Sequence, residues 1–194
     1  MSVRMVLVAP PGAGKGTQAE AVTRKFGVPA VSTGAIFRAH TEAGDELGRL
    51  ADSFTSRGEL VPDEVTDRMV EARLDQPDAA GGFLLDGYPR NLHQVASLDA
   101  MLARRGTALD VVLEITADDE AVVARLLGRA AQEGRKDDTE KVIRHRIALY
   151  HETTEPLIAE YRSRGVLVSV DGIGGIDEVA SRVCDALDAY LESR

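Results

Sequence analysis

Short apolar runs rich in β-branched residues alternate along the chain with stretches whose apolar residues recur at helical spacing. Residues 3–8, interrupted only by Arg4, read as a buried strand, and residues 28–31 after Gly27 as a second. A third is Phe83-Leu84-Leu85-Asp86, a fourth residues 110–116 around Val111-Val112-Leu113, and a fifth residues 166–170. Such near-continuous apolar strands are what a parallel sheet buried on both faces requires. Helices fill the intervals. Residues 18–25 carry Ala19, Ala21 and Val22 as a small apolar face, and another helix starts at Ser32 or Thr33, each a natural N-cap. The polar stretch 42–58 holds a short amphipathic segment around Leu47, Leu50 and Phe54. Pro62 suits the first turn of a helix bearing Val65, Met69, Val70 and Leu74. Residues 91–105 present Leu92, Val95, Leu98 and Leu102, and Asp118 or Asp119 caps the next helix. Asp137 or Asp138 opens a long helix that Pro156 kinks or restarts, and a last helix runs to the C-terminus. The alternation predicts an α/β fold, a doubly wound parallel sheet that binds its ligand at the carboxyl ends of the strands.

The first strand leads into Ala9-Pro10-Pro11-Gly12-Ala13-Gly14-Lys15-Gly16-Thr17 and then a helix. Strand, glycine turn and helix start form a phosphate-binding loop. Glycines let backbone N–H groups turn inward around a phosphate, and the helix N-terminus adds partial positive charge. Lys15 brings a mobile full charge to the outer phosphates, and the Thr17 hydroxyl is placed to meet magnesium. A plain glycine turn would explain Gly12, Gly14 and Gly16 but not the Lys-Gly-Thr run. The loop's usual opening glycine is Ala9 here, which requires negative φ at that position.

Composition narrows the class. The chain has 194 residues, enough for one α/β domain, with no apolar run of membrane-spanning length and no signal-peptide plan at its start. A cytoplasmic protein is expected. The single Cys184 excludes an internal disulfide, and its place among Ala180, Val183, Leu187 and Leu191 suggests a buried thiol. His40, His93, His145 and His151 show no ligand spacing. The net charge of −9 argues against a nucleic-acid partner. Yet Arg125, Arg129, Arg135, Lys136, Arg144 and Arg146 crowd one quarter of the chain, a basic focus suited to a small, highly anionic ligand.

Other residues have a bland reading beside the functional one. Thr33 is a cap, or faces a ligand with Arg38 one turn inside. Asp86 ends a strand beside the loop, where it organises magnesium through water or forms a turn before Gly87; the loop favours magnesium. Arg90 leaves the same strand end. Asn91-x-x-Gln94 fits a capping box, in which Gln94 merely caps. Arg125 and Arg129, four apart on one helix face, mark an anion site or a solvated face.

Together these segments resemble adenylate kinase along essentially the whole chain: PGAGKGTQA at 11–19, STG-x-x-x-R at 32–38, LVPDE at 60–64, LLDGYPRN-x-x-Q at 84–94 and RKDD at 135–138. The resemblance implies strand order 2-3-1-4-5 and a P-loop kinase core of residues 1–32, 63–124 and 137–194. It implies an AMP-binding subdomain of residues 33–62 and a lid of residues 125–136. Only five residues separate Arg129 from Arg135, so the lid is of the short form without zinc. Carried over by residue, Thr33 and Arg38 hold AMP, Leu60 and Val61 supply contacts around its ribose and base, and Gly87 and Arg90 lie at its phosphate. Gln94 reads the adenine edge, which displaces the capping preference. The ATP side comprises Gly12, Ala13, Gly14, Lys15, Gly16, Thr17 and Gly174, with Arg125 stacked on adenine. Arg129 reaches the ATP phosphates, and Arg135 and Arg146 bind phosphate on the AMP side. Lys15, Arg90, Arg129, Arg135 and Arg146 form the catalytic set, and Thr17 and Asp86 hold magnesium, largely through water. Ala35 stands where the family commonly has Asp, which predicts a magnesium site short of one outer anchor.

The implied reaction is Mg-ATP plus AMP giving two ADP, by a monomer whose partners are ATP, AMP and ADP, with no nucleic acid and no membrane. A pyrimidine-monophosphate kinase would share the fold and the arginines, but Gln94 favours adenine. A non-catalytic nucleotide sensor would keep the loop and lose phosphate arginines, none of which is missing.

Overall fold

The computed structural model describes residues 2–133 and 139–193, with side chains described up to Gly128 and again from Thr139. Five parallel strands are hydrogen-bonded in the order β2-β3-β1-β4-β5, the order that the resemblance implies. They are β1 (Arg4–Val8), β2 (Ala30–Ser32), β3 (Phe83–Asp86), β4 (Val111–Thr116) and β5 (Leu167–Asp171). The second strand starts two residues later than its apolar run suggests, because pairing with β3 sets Ala30 opposite Leu84 and Ser32 opposite Asp86.

The period-2 alternation of each strand divides the core. Val6, Val8, Phe83, Leu85 and Val112 face one side, where they pack with Val70, Val95, Leu98, Leu102, Leu157 and Tyr161. Those partners come from α4 (Asp63–Leu74), α5 (Leu92–Arg104) and α8 (Pro156–Ser163). Met5, Leu7, Leu84, Leu113 and Ile115 face the other side, against Ala19, Val22, Val179, Val183 and Leu187. These belong to α1 (Lys15–Phe26) and α9 (Ile176–Glu192). All ten of these strand residues are essentially inaccessible. At about 25 cal/mol per Å² of apolar surface, each large side chain so buried stabilises by roughly 1.5–3 kcal/mol before entropy is counted.

Two smaller clusters flank the sheet. Phe37, Ala51 and Val61 join α2 (Thr33–Ala43) to α3 (Glu46–Thr55), the amphipathic segment expected in the polar stretch. Val122, Leu126, Ile143 and Ile147 join α6 (Asp119–Glu133) to α7 (Glu140–Leu149).

Helix starts follow the sequence with some corrections. Ser32 caps α2, its Oγ accepting from the Ala35 N–H at 3.4 Å, and Asp118 caps α6. Pro62 precedes α4 as its N-cap instead of entering the first turn. Thr139, not an aspartate, caps α7; Asp137 and Asp138 lie outside the described residues. A π-helical turn, Tyr150–Thr154, follows α7, and Pro156 restarts the chain as α8. Cys184 is only half-buried, beside the fully buried Val183, because its position is at the edge of the apolar stripe of α9. No helix among the described residues is long and apolar enough to cross a membrane.

Candidate active site

Strand β1 delivers the glycine loop to the carboxyl edge of the sheet, and Gly14, with φ +83°, starts α1 without any side-chain cap. No acidic residue occupies the first turn of α1. The helices that begin nearby, α2 and α5, have Ser32 and Asn91 as side-chain caps. The first N–H groups and the positive end of the α1 dipole are therefore left for an anion. Gly12 has φ +82°, and a Cβ there would fall 2.6 Å from Cγ of Leu126, so the loop lies directly against α6. Among the described residues no non-glycine has positive φ, which accounts for Ala9 at the loop's opening: it is buried in ordinary backbone geometry. Lys15 lies across its own loop, Nζ donating to the carbonyls of Ala9 (2.8 Å) and Pro10 (2.9 Å).

Strand register brings the second element alongside. Asp86 pairs with Leu7 of β1 and with Ser32 of β2. Ser32 Oγ donates to Asp86 Oδ2 at 3.1 Å, while Asp86 Oδ1 is buried with no partner among the described residues. Thr33, 3% exposed, donates to the Gly87 carbonyl at 3.1 Å and so ties α2 to the exit of β3; the capping role falls to Ser32. Gly87 has φ +84°, and a Cβ there would stand 2.7 Å from Thr33 Oγ1. Arg90 Nε donates to the same carbonyl at 2.9 Å. Burial holds its guanidinium below the usual range, against the pull of Asp86, and repulsion from Arg146 adds to the depression. A second negative charge brought between these arginines would offset both costs.

Asn91 caps α5 through Oδ1 at 2.8 Å from the Gln94 N–H, but the reciprocal half of the expected capping box is displaced. Gln94 Oε1 accepts from the N–H of Arg90 (2.8 Å), one residue earlier, and Nε2 donates to Asp63 Oδ1 (2.6 Å).

One cleft of about 880 Å³ gathers most of the sequence-selected residues. Gly12, Gly14, Lys15, Gly16 and Thr17 line it from the loop, and Asp86, Gly87, Arg90 and Gln94 from the end of β3. Thr33, Arg38, Leu60 and Val61 contribute the α2–α3 side, and Arg125 and Arg146 the side of α6 and α7. The volume falls in the range of small-ligand sites. Ala13 and Gly174 do not line the cleft: Ala13 packs into the core, and Gly174 faces the carboxylate of Glu178. Arg129 sits on α6 without a described side chain, and Arg135 and Lys136 lie outside the described residues. Arg144 turns outward to Glu120 and Glu140, each at 3.0 Å, so the basic focus is divided between the cleft and the surface. Arg146 also donates to the carbonyl of Thr55 at 3.1 Å, joining α7 to α3.

Sequence reasoning passed over Ser32 as the partner of Asp86, Leu126 as the wall behind Gly12, and Asp63 as the partner of Gln94. Only the LVPDE segment carried a signal for the last of these. Among the described residues no cluster of three or more His, Cys, Asp or Glu side chains could hold a metal ion.

A sequence profile described as adenylate kinase matches residues 7–166. An adenylate kinase of Kocuria rhizophila is 55% identical over 185 residues, covering 95% of this chain and 98% of the relative. One from Pseudarthrobacter chlorophenolicus is 55% identical over 186 residues (96% and 97%), and one from Mycobacteroides abscessus 50% over 185 (95% and 99%). With the phosphate loop, the 2-3-1-4-5 sheet and the cleft at its carboxyl edge, this match along nearly the whole chain means that the protein belongs to the adenylate kinase family, the ATP:AMP phosphotransferases.

Proposed function

We propose that the cleft holds Mg-ATP and AMP together and transfers the γ-phosphoryl group between them, giving two ADP. The observation that carries this reading is that Arg90, partly desolvated and repelled by Arg146, shares one cleft with the uncapped start of α1. The loop N–H groups and Lys15 hold the ATP phosphates, with Arg125 and Arg129 toward its nucleoside and outer phosphates. Thr33, Arg38, Leu60, Val61, Gly87 and Gln94 hold AMP. In this reading residues 33–62 form the AMP-binding subdomain, residues 125–136 the lid, and residues 1–32, 63–124 and 137–194 the core.

The attacking group is a phosphate oxygen of AMP, already anionic at neutral pH, so the step needs no general base. A bond forms from that oxygen to the γ-phosphorus, and the bond from phosphorus to the β–γ bridging oxygen breaks. The chain's contribution is alignment and neutralisation by Lys15, Arg90, Arg129, Arg135 and Arg146. Residues at the carboxyl edge suit a hydrated magnesium ion: Thr17 lines the cleft, and Asp86 keeps a buried oxygen without a partner among the described residues. Thr17 and Asp86 would hold the ion, which supplies charge neutralisation on the β- and γ-phosphates. Exposed Ala35 adds no carboxylate to this set. Water is a rival acceptor, so the cleft closes over the nucleotides before transfer. We place this activity in the cytoplasm, in a monomer with no nucleic-acid or membrane partner.

A coupled ADP assay with AMP, CMP, UMP and GMP as acceptors tests the substrate, and Lys15→Ala tests the mechanism. AMP is expected to be the preferred acceptor. The lysine is expected to contribute at least about a hundredfold in kcat, as one preorganised charge-stabilising group does. Near-normal turnover in a folded Lys15→Ala protein overturns the mechanism, and equal use of all four acceptors overturns the substrate assignment.

A further inference from the structure

We propose that Asp63 is a positioning residue that sets base selectivity by locking the orientation of the Gln94 side-chain amide; this rests on the reading of Gln94 as the residue facing the base. Asp63 is the first residue of α4 and does not line the cleft; its direct hydrogen bond to a cleft side chain is the one to Gln94.

Gln94 is 2% exposed, and both ends of its amide already have partners within the protein. Oε1 accepts from the backbone N–H of Arg90 at 2.8 Å, and Nε2 donates to Asp63 Oδ1 at 2.6 Å. Asp63 is held in turn by Asn91, whose Nδ2 reaches both carboxylate oxygens at 3.0 and 3.1 Å, with His93 Nδ1 at 3.4 Å from Oδ2. A backbone N–H can only donate, and an ionised carboxylate can only accept. Turning the amide over would therefore set N–H against N–H and oxygen against carboxylate, with the Gln94 amide buried and the Asp63 carboxylate only partly exposed.

The lock matters because a free glutamine amide reads either polarity. One remaining Nε2–H and one remaining lone pair of Oε1 are available to a base. Adenine offers an amino donor beside a ring-nitrogen acceptor and pairs with that arrangement. Hypoxanthine, guanine and uracil offer a carbonyl acceptor beside a ring N–H, the reverse order, and pair only with the flipped amide. Cytosine shares adenine's order, so it is excluded by size and not by this device. Asp63 and the Arg90 N–H together thus select amino bases over oxo bases.

The test compares AMP with IMP, which match in size and differ in polarity, as acceptors for the wild-type enzyme, Asp63→Asn and Asp63→Ala. An asparagine side chain at this position presents either a donor or an acceptor to the amide, and an alanine presents neither. Both variants are expected to lower the AMP-to-IMP ratio of kcat/KM by about tenfold or more, the equivalent of one charge-assisted hydrogen bond. The change should appear in KM for the acceptor, with KM for ATP unmoved. If Asp63 only supports the start of α4, both acceptors suffer equally and the ratio holds; that result overturns the inference. Gln94→Ala separates the two levels. A shifted ratio there with an unshifted ratio in the Asp63 variants defeats the lock alone. An unshifted ratio in Gln94→Ala defeats the reading of Gln94 and the lock with it. Should the Asp63 variants not fold, the wild-type protein decides: the Gln94 Nε2 protons are expected to exchange with solvent far more slowly than those of a free primary amide, and exchange at the free rate overturns the lock.

Discussion

Tyr88 and Tyr161 are both fully buried, and they differ in what their hydroxyls meet. Tyr88 Oη donates to Asp67 Oδ1 at 2.7 Å; burial, and then that carboxylate, push its ionisation well above the ordinary range, so it stays a donor. The Tyr161 hydroxyl has no partner among the described residues, and burial raises its ionisation as well. Phenylalanine at the two positions should therefore act in different directions. Tyr88→Phe is expected to cost about 1–3 kcal/mol, because it leaves the half-buried Asp67 carboxylate short of a donor. Tyr161→Phe removes a desolvated polar atom and should be neutral or stabilising by up to about 1 kcal/mol. Urea unfolding midpoints of the two variants check this; equal losses would mean that both hydroxyls are satisfied in solution.

The start of α6 and the π-helical turn after α7 are clipped together by His151. Its Nε2 meets Asp119 Oδ2 at 2.9 Å, and its Nδ1 meets Glu155 Oε2 at 2.9 Å. Glu155 chiefly, then Asp119, raise the imidazole above its ordinary value of 6.5. A group whose folded value is raised gives stability that is complete below the unfolded value and lost as pH rises through the folded one. The stability difference between wild-type protein and His151→Gln is thus expected to be largest near pH 6 and to fade toward pH 9. Both the ring and its partners are more than two-fifths exposed, so the clip is a modest one, screened by solvent and salt. Denaturation of both proteins across that pH range checks the direction. A difference that grows with pH would show that the neutral ring is the stabilising form.

The molecule as a whole is acidic, with net charge −9, yet its cleft gathers Lys15, Arg38, Arg90, Arg125 and Arg146. Glu42, Asp52, Glu59 and Asp86 line the cleft as well, so folding and ligand binding are interdependent chiefly through Arg90, whose desolvation a bound anion relieves. AMP at a hundredfold its dissociation constant is expected to raise the unfolding free energy by about 2.7 kcal/mol. Arg90→Ala should keep the fold but lose most of that gain at the same AMP concentration, as followed by thermal unfolding. An equal gain in both proteins would mean that AMP binds away from Arg90.

The sequence by itself determined the five strands, the phosphate loop, and the position of Asp86 and Arg90 at a strand end, because each is written in neighbouring residues. Apolar runs mark buried strands, and glycines followed by Lys-Gly-Thr mark a loop entering a helix. The composite of motifs also made the family legible before any geometry was known. Contacts between distant positions were not legible. Asp63 meets Gln94 across 31 residues, Ser32 meets Asp86 across 54, and both follow from the packing of α4 on α5 and of β2 on β3. The turn of Arg144 toward Glu120 and the half-exposure of Cys184 were likewise decided by tertiary structure, whereas Thr139 caps α7 through a contact only three residues long. A side chain's charge and hydrogen-bonding capacity belong to the sequence, but the partner that uses them is set only when separate elements pack.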